Sequence, residues 1–142
     1  MDKPTKPTIV EIGKIADPRG NLSFIENGPL LTFDIKRVYW IYDVPGDSER
    51  WGHAFYTQYE MIIALSGSFD VILDDGEKTD RFHLSRSYLG LLVPPMTWRR
   101  MDNFSTNSVA LILSSTIYNP KDYIFDYDEF LRMKKIQKDG IQ

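Results

Sequence analysis

The sequence predicts an all-β fold: an antiparallel barrel or sandwich of short strands, followed by a short C-terminal helix. Three observations carry this. Apolar and β-branched runs recur at intervals of about 8–12 residues, the strand spacing of such folds. Asp75-Gly76, a hairpin turn signal, lies between two of these runs. After Pro120 the apolar spacing changes from near two to the three-and-four spacing of a helix.

Each element follows from its residues. Met1 to Thr8 is polar, carries Pro4 and Pro7, and reads as a loose arm. Residues 9–118 read as the barrel. Within it, Thr32 to Asp43 is β-branched and aromatic, with Phe33, Ile35, Val38, Trp40 and Tyr42 at nearly period-two spacing. The slip between Ile35 and Val38 predicts a bulge or bend. Tyr59 to Ser66 and Ser68 to Asp74 are strands on either side of Gly67, and a run near Arg81 to Leu84 closes the hairpin after Asp75-Gly76. Tyr88 to Val93 and Ser108 to Ser115 are apolar strand runs. Residues 120–138 read as a helical tail. In it, Asp126 to Lys138 places Tyr127, Phe130, Leu131 and Met133 at helical spacing, with acids first and lysines last, as the helix dipole favours. The pieces around Asp122-Tyr123-Ile124 and Tyr127 to Phe130 read as a packed C-terminal helix rather than a catalytic element.

Composition bounds the chemistry. The 142 residues suit one domain, 1–142. There is no cysteine, so disulfide frameworks, thiol nucleophiles and cysteine zinc sites are excluded. Two histidines, His53 and His83, are too few for a three-histidine metal centre. A net charge of −3 gives no strongly basic domain to invite non-specific nucleic-acid binding. No apolar run approaches the roughly 18 residues of a membrane span, and the polar start lacks a signal-peptide core. The default expectation is a cytoplasmic protein with neither nucleic-acid nor membrane partners.

Two motifs narrow the fold. The first runs from Gly46 through His53, Phe55 and Glu60 to Gly67, and the second from Gly90 through Pro94 and Arg99 to Asn103. Together they resemble the paired motifs of the cupin superfamily, G(x)5HxH(x)3-4E(x)6G and G(x)5PxGxxH(x)3N. The resemblance lies in spacing more than identity: Gly46 is one residue too far from His53, and Gly90 two residues too close to Pro94. It implies a cupin double-stranded β-helix, the jelly-roll barrel. In metal-binding cupins the HxH pair, the Glu and the last His hold the ion. Here the second His is Phe55 and the last is Arg99, so only His53 and Glu60 remain. Two donors rarely hold a catalytic divalent ion, and a guanidinium in the ligand set repels one. No metal is expected.

Longer stretches resemble a narrower group, the cupin-type, WxcM-like sugar-nucleotide 3,4-ketoisomerases acting on dTDP-4-keto-6-deoxyglucose. They are Asp17 to Leu22, Phe33 to Ile41, Arg50 to Ala54, Leu65 to Ser68, Val71 to Gly76, Gly90 to Trp98, Asp102 to Ser105, and the tail from Asp122 to Phe130. The Lys36 to Tyr39 segment and the tail are the more discriminating. The resemblance covers roughly residues 8 to 134. It implies migration of the substrate ketone from C4 to C3 through an enediol, in deoxysugar biosynthesis for surface glycans. A base takes the C3 proton, donors stabilise the enediol oxygen, and protons return to C4 and between oxygens. The substrate's own ketone is the electron sink, so no cofactor is expected.

The resemblance also assigns residues. His53 matches the first histidine of the family's His-Ala-His arrangement and is the candidate base, an imidazole having an ordinary pKa near 6.5. Phe55 stands where the second, proton-shuttling histidine would be, leaving Tyr39 or a bound water to serve. Arg19 resembles the type giving the galacto-configured product and Arg99 the gluco-producing type, so the pair leaves the C4 configuration open. Arg99 is also taken as catalytic, because adjacent strand residues face opposite sides and its motif position points it, not Arg100, into the barrel. Tyr39 and Trp40 alternate in the same way. Arg19, Arg37, Arg50, Glu60 and Trp98 are candidates for substrate binding, the arginines for the pyrophosphate of a dTDP-linked sugar. Glu60 also reads as a hydrogen-bonding residue of the barrel wall, and His83 as a strand or surface residue. A homodimer is implied, with the arm ahead of Ile9 free to exchange. Two other functions are open: a dTDP-4-keto sugar 3,5-epimerase, and a catalytically lapsed cupin that binds a nucleotide sugar.

Overall fold

A computed structural model describes residues 3–46, 48 and 50–140, with only the main chain of Trp51. Met1 and Asp2 of the arm, Asp47 and Glu49 of the first motif, and residues 141 and 142 lie outside the described residues. The strands are β1 (Thr8–Glu11), β2 (Arg37–Ile41), β3 (Arg50–Phe55), β4 (Glu60–Ser66), β5 (Phe69–Asp74), β6 (Thr79–Leu84), β7 (Leu89–Val93), β8 (Trp98–Asp102), β9 (Val109–Ser114) and β10 (Tyr123–Ile124). The helix α1 is Tyr127–Gly140. The strands form two antiparallel five-stranded sheets, ordered β1-β7-β4-β9-β2 and β10-β3-β8-β5-β6. This is the expected all-β jelly roll.

Alternation along each strand builds the core. Ile62, Ala64, Phe69, Val71, Leu91, Val93, Met101 and Ile112 fill the space between the sheets. A second apolar cluster covers the outer face of the first sheet. There Leu31 and Phe33 pack on Met61, Ile63, Leu92 and Leu113. Strand β4 is therefore covered on both faces from Glu60 to Ala64, which explains its unbroken Met-Ile-Ile-Ala run; Leu65, next along, is exposed.

The same cover explains why the expected strand over Thr32 to Asp43 is shorter. Only Arg37–Ile41 pairs with β9, while Leu31 and Phe33 are apolar because they are buried on the sheet. At the other end, Thr8 already pairs with Leu92, so part of the expected arm is a strand.

The tail departs most from expectation. Pro120–Asp122 is a 3-10 turn, and Tyr123–Ile124 is a strand paired with Phe55 and Ala54. Asp126 caps the helix, its carboxylate accepting the amides of Asp128 at 2.9 Å and Glu129 at 3.4 Å. Phe130, buried against Ala54, Met96 and Ile124, pins α1 to the outside of the second sheet. Asp122 ties the tail to the β3–β4 loop: it accepts the Thr57 amide and hydroxyl at 3.0 and 2.9 Å and the Gln58 amide at 3.1 Å. Gly52 allows the close approach of Trp98 on that outer face. A Cβ at position 52 would lie 2.6 Å from the indole Cε2. Met96, where the second motif of the cupins has glycine, sits at φ 57° in the left-handed region.

Candidate active site

A cavity of about 440 Å³ opens between the sheets, within the size range of small-molecule sites. Its lining includes Tyr39, Arg50, His53, Glu60, Arg99, Tyr123 and Phe125. Two other clefts, of about 670 and 760 Å³, lie on the surface, and none of their ionisable side chains is buried.

Strand register sets the floor of this cavity. His53 on β3 is directly opposite Arg99 on β8, and such neighbours share one face at about 4.5–5.5 Å between Cβ atoms. Alternation turns Trp98 away, against Tyr127 and Phe130 of α1, with ring centroids 5.2 and 5.6 Å apart. On the opposite sheet, Tyr39 faces the cavity, while Trp40 is 58% exposed outside it.

A buried carboxylate joins these strands. Glu60 is 1% and Arg99 3% exposed. Arg99 Nη1 donates to Glu60 Oε1, and the Tyr39 hydroxyl donates to Glu60 Oε2. Gln58 Nε2 donates to the same Oε2 at 2.6 Å. Gln58 is held in turn by the Thr116 hydroxyl at 2.6 Å and Arg37 Nη2 at 3.3 Å, both donating to its Oε1. Burial pushes the Tyr39 phenol far above its ordinary pKa, and the adjacent Glu60 charge adds to this. Tyr39 is therefore a neutral hydroxyl across the physiological range.

Arg99 is only partly used. Its Nε and Nη2 are buried and make no hydrogen bond among the described residues. An unfilled, permanently charged fork beside an imidazole can receive an oxygen that gains negative charge. The guanidinium lies 4.9 Å from the Phe55 ring centroid. Phe55 itself is fully buried and meets the His53 ring edge-on at 5.1 Å.

Of the residues singled out in the sequence, His53, Tyr39, Arg99, Glu60 and Arg50 come together here. Arg37 sits behind the wall, over the rings of Tyr39 and Tyr118 at 5.1 and 5.5 Å. Arg19 is apart, on an exposed turn, its Nε 3.0 Å from Asp17 Oδ1. Trp98 is apart as well, on the outer face. No group of three or more His, Asp or Glu among the described residues is placed to hold a metal ion. His83 is on β6, its Nδ1 2.6 Å from Asp70 Oδ1.

Gln58, Tyr123 and Phe125 are site residues that the sequence reading does not single out. Tyr123 stacks on Phe125 at 5.1 Å and approaches His53 at 5.6 Å. The period-two spacing of Tyr123 and Phe125 around buried Ile124, just after Pro120, is the signal that separates them from the helix.

Comparison with known proteins gives a consistent result. The family model described as FdtA: WxcM-like, C-terminal matches residues 5–135. The chain is 39% identical over 122 residues to the TDP-4-oxo-6-deoxy-alpha-D-glucose-3,4-oxoisomerase of Aneurinibacillus thermoaerophilus, spanning 86% of this chain and 88% of that protein. It is similar to the crystal structure of the WlaRB TDP-quinovose 3,4-ketoisomerase of Campylobacter jejuni, with a TM-score of 0.86 and 39% identity over 90% of this chain and 98% of the other. It is also similar to the sugar 3,4-ketoisomerase QdtA of Thermoanaerobacterium thermosaccharolyticum in complex with TDP, with a TM-score of 0.91 and 32% identity over 94% and 97% of the two chains.

Proposed function

The chain belongs to the FdtA-type, WxcM-like family, and from that membership we propose that it is a TDP-sugar 3,4-ketoisomerase of deoxysugar biosynthesis. Its substrate is a TDP-4-keto-6-deoxyhexose whose ketone moves from C4 to C3. The observation that carries the reading is Arg99: a buried guanidinium with unfilled donors, directly opposite His53. His53 takes the C3 proton, which the neighbouring carbonyl acidifies, and later returns a proton to C4. Arg99 receives the enediolate oxygen. Arg50, exposed at the cavity mouth, takes the diphosphate. Arg37 supports the wall rather than meeting substrate. Arg19 and Trp98 have no part in this set within one chain.

The outer face of the first sheet leaves Val38, Trp40 and Leu65 exposed at 45%, 58% and 52%. That apolar surface supports a homodimer, which sedimentation velocity measures. A charged nucleotide sugar does not cross a membrane unaided, which supports a cytoplasmic reaction. No helix among the described residues is long and apolar enough to cross a membrane.

The experiment is a His53→Asn variant given TDP-4-keto-6-deoxyglucose. TDP binding by calorimetry is expected to persist while conversion to the 3-keto sugar is lost. Conversion at the parent rate would remove His53 from the mechanism.

A further inference from the structure

Ketone migration needs more than a carbon base. The proton on the C3 oxygen must leave and the C4 oxygen must gain one. A second imidazole is missing from the described lining, and the position beside His53 on the same face holds the phenyl ring of Phe55. Two hydroxyls line the cavity, those of Tyr39 and Tyr123. The Tyr123 hydroxyl accepts from Arg37 Nη2 at 3.5 Å. The Tyr39 hydroxyl shares its carboxylate partner with Arg99, the group that receives the enediolate. Tyr39 thus stands in the hydrogen-bonded set where the oxygen charge develops.

Resting on the isomerase reading, we infer that Tyr39, positioned by Glu60, carries the hydroxyl proton between the C3 and C4 oxygens. His53 takes the C3 hydrogen as a proton, the C3–H electron pair becomes the C3=C4 bond, and the carbonyl π pair moves to the C4 oxygen. The Tyr39 hydroxyl then turns from Glu60 and passes its proton to the C4 oxygen as the C3 hydroxyl proton passes to the phenolic oxygen, which returns to Glu60 with the new proton. Tyr39 ends as it began, with the charge now on the C3 oxygen. Collapse forms the C3 ketone, and C4 takes the proton held by His53. Burial and the Glu60 charge both disfavour a tyrosinate, so the two transfers are concerted. Glu60 is a positioning residue in this step: it fixes the hydroxyl and keeps Tyr39 from giving up a proton without gaining one.

The test separates carbon chemistry from oxygen chemistry. TDP-4-keto-6-deoxyglucose is incubated in deuterated water, and two rates are followed by proton NMR: deuterium entry at C3 of recovered substrate, and formation of the 3-keto product. Tyr39→Phe retains the base, so exchange at C3 is expected to continue while product formation falls by roughly 10²–10⁴-fold, the usual contribution of a positioned proton carrier. The ratio of exchange to product rises accordingly. Glu60→Gln is expected to raise the same ratio, and it serves alone if Tyr39→Phe does not fold. Proportional loss of exchange and product in both variants would overturn the inference, because Tyr39 would then act only on the enediolate. A rise in the ratio for Tyr123→Phe alone would overturn it in favour of the other hydroxyl. If the parent protein shows neither exchange nor product, the isomerase reading fails, a result distinct from either.

Discussion

Replacing Arg99 by Met tests the organising role of the buried pair. The guanidinium and the Glu60 carboxylate are 97% and 99% buried by side chain, the complements of 3% and 1% exposure. Removing the cation leaves the carboxylate with the Tyr39 and Gln58 donors alone. Breaking such a pair costs about 3–5 kcal/mol. With an unfolding entropy of about 2.1 cal/mol/K per residue, 142 residues give about 0.3 kcal/mol/K. The melting temperature should therefore fall by roughly 10–17 °C. Met keeps much of the stem volume over Phe55, so little of this loss is packing. Differential scanning calorimetry reads the shift. The double variant Arg99→Met, Glu60→Leu should recover only part of it, since the stranded charge is gone but the Tyr39 hydroxyl and Gln58 amide lose their acceptor. A single variant melting within about 3 °C of the parent, roughly 1 kcal/mol by the same entropy, would refute the claim that this pair organises the cavity.

Two other perturbations read different parts of the fold. Burial pushes the Asp70 carboxyl up, but hydrogen bonds from His83, Arg81 and Asn103 outweigh it and hold the pKa below the ordinary 3.8. A depressed carboxylate stabilises the fold above its unfolded pKa and loses that contribution as the pH falls through its folded one. Urea midpoints of the parent should therefore drop more steeply below about pH 4 than those of Asp70→Asn, and parallel curves would contradict this. Gly52→Ala places a Cβ against the Trp98 indole, 2.6 Å from its Cε2, and strand β3 is expected to shift. We expect a loss of about 1–3 kcal/mol by urea unfolding together with lower kcat, because His53 is the next residue. An alanine variant of parent stability would mean that the Trp98 ring moves instead.

The strand pattern shows where sequence is readable. Short apolar runs at Phe69 to Leu73 and Ser108 to Ser115, with the Asp75-Gly76 turn, lead directly to the second-sheet hairpin and to β9, because those segments are buried over most of their length. Leu31 and Phe33 mislead for the opposite reason: they are apolar without being strand, being buried on the outside of a sheet. Within the site, His53, Glu60 and Arg99 are legible from motif spacing, and Tyr39 from alternation. Gln58 and Tyr123 are not. Their place depends on the tail folding back through Asp122 onto the β3–β4 loop, a contact between positions more than sixty residues apart. Arg19 and Trp98 carry suggestive side chains, but register and an exposed turn place them elsewhere. The scarcity of histidine has a counterpart in space: one imidazole faces an arginine, and a tyrosine shares that arginine's carboxylate.

Base-catalysed migration of a ketone from C4 to C3 on a TDP-linked 6-deoxyhexose leaves its mark on individual carbon-bound protons. Proton NMR of the parent protein with TDP-4-keto-6-deoxyglucose in deuterated water tests it most directly. We expect loss of the C3 proton signal, solvent deuterium at C4 and a ketone at C3 in the product, whose C4 configuration the coupling constants report. Deuterium at C5 with the ketone still at C4, or TDP binding with no exchange at any carbon, would contradict it.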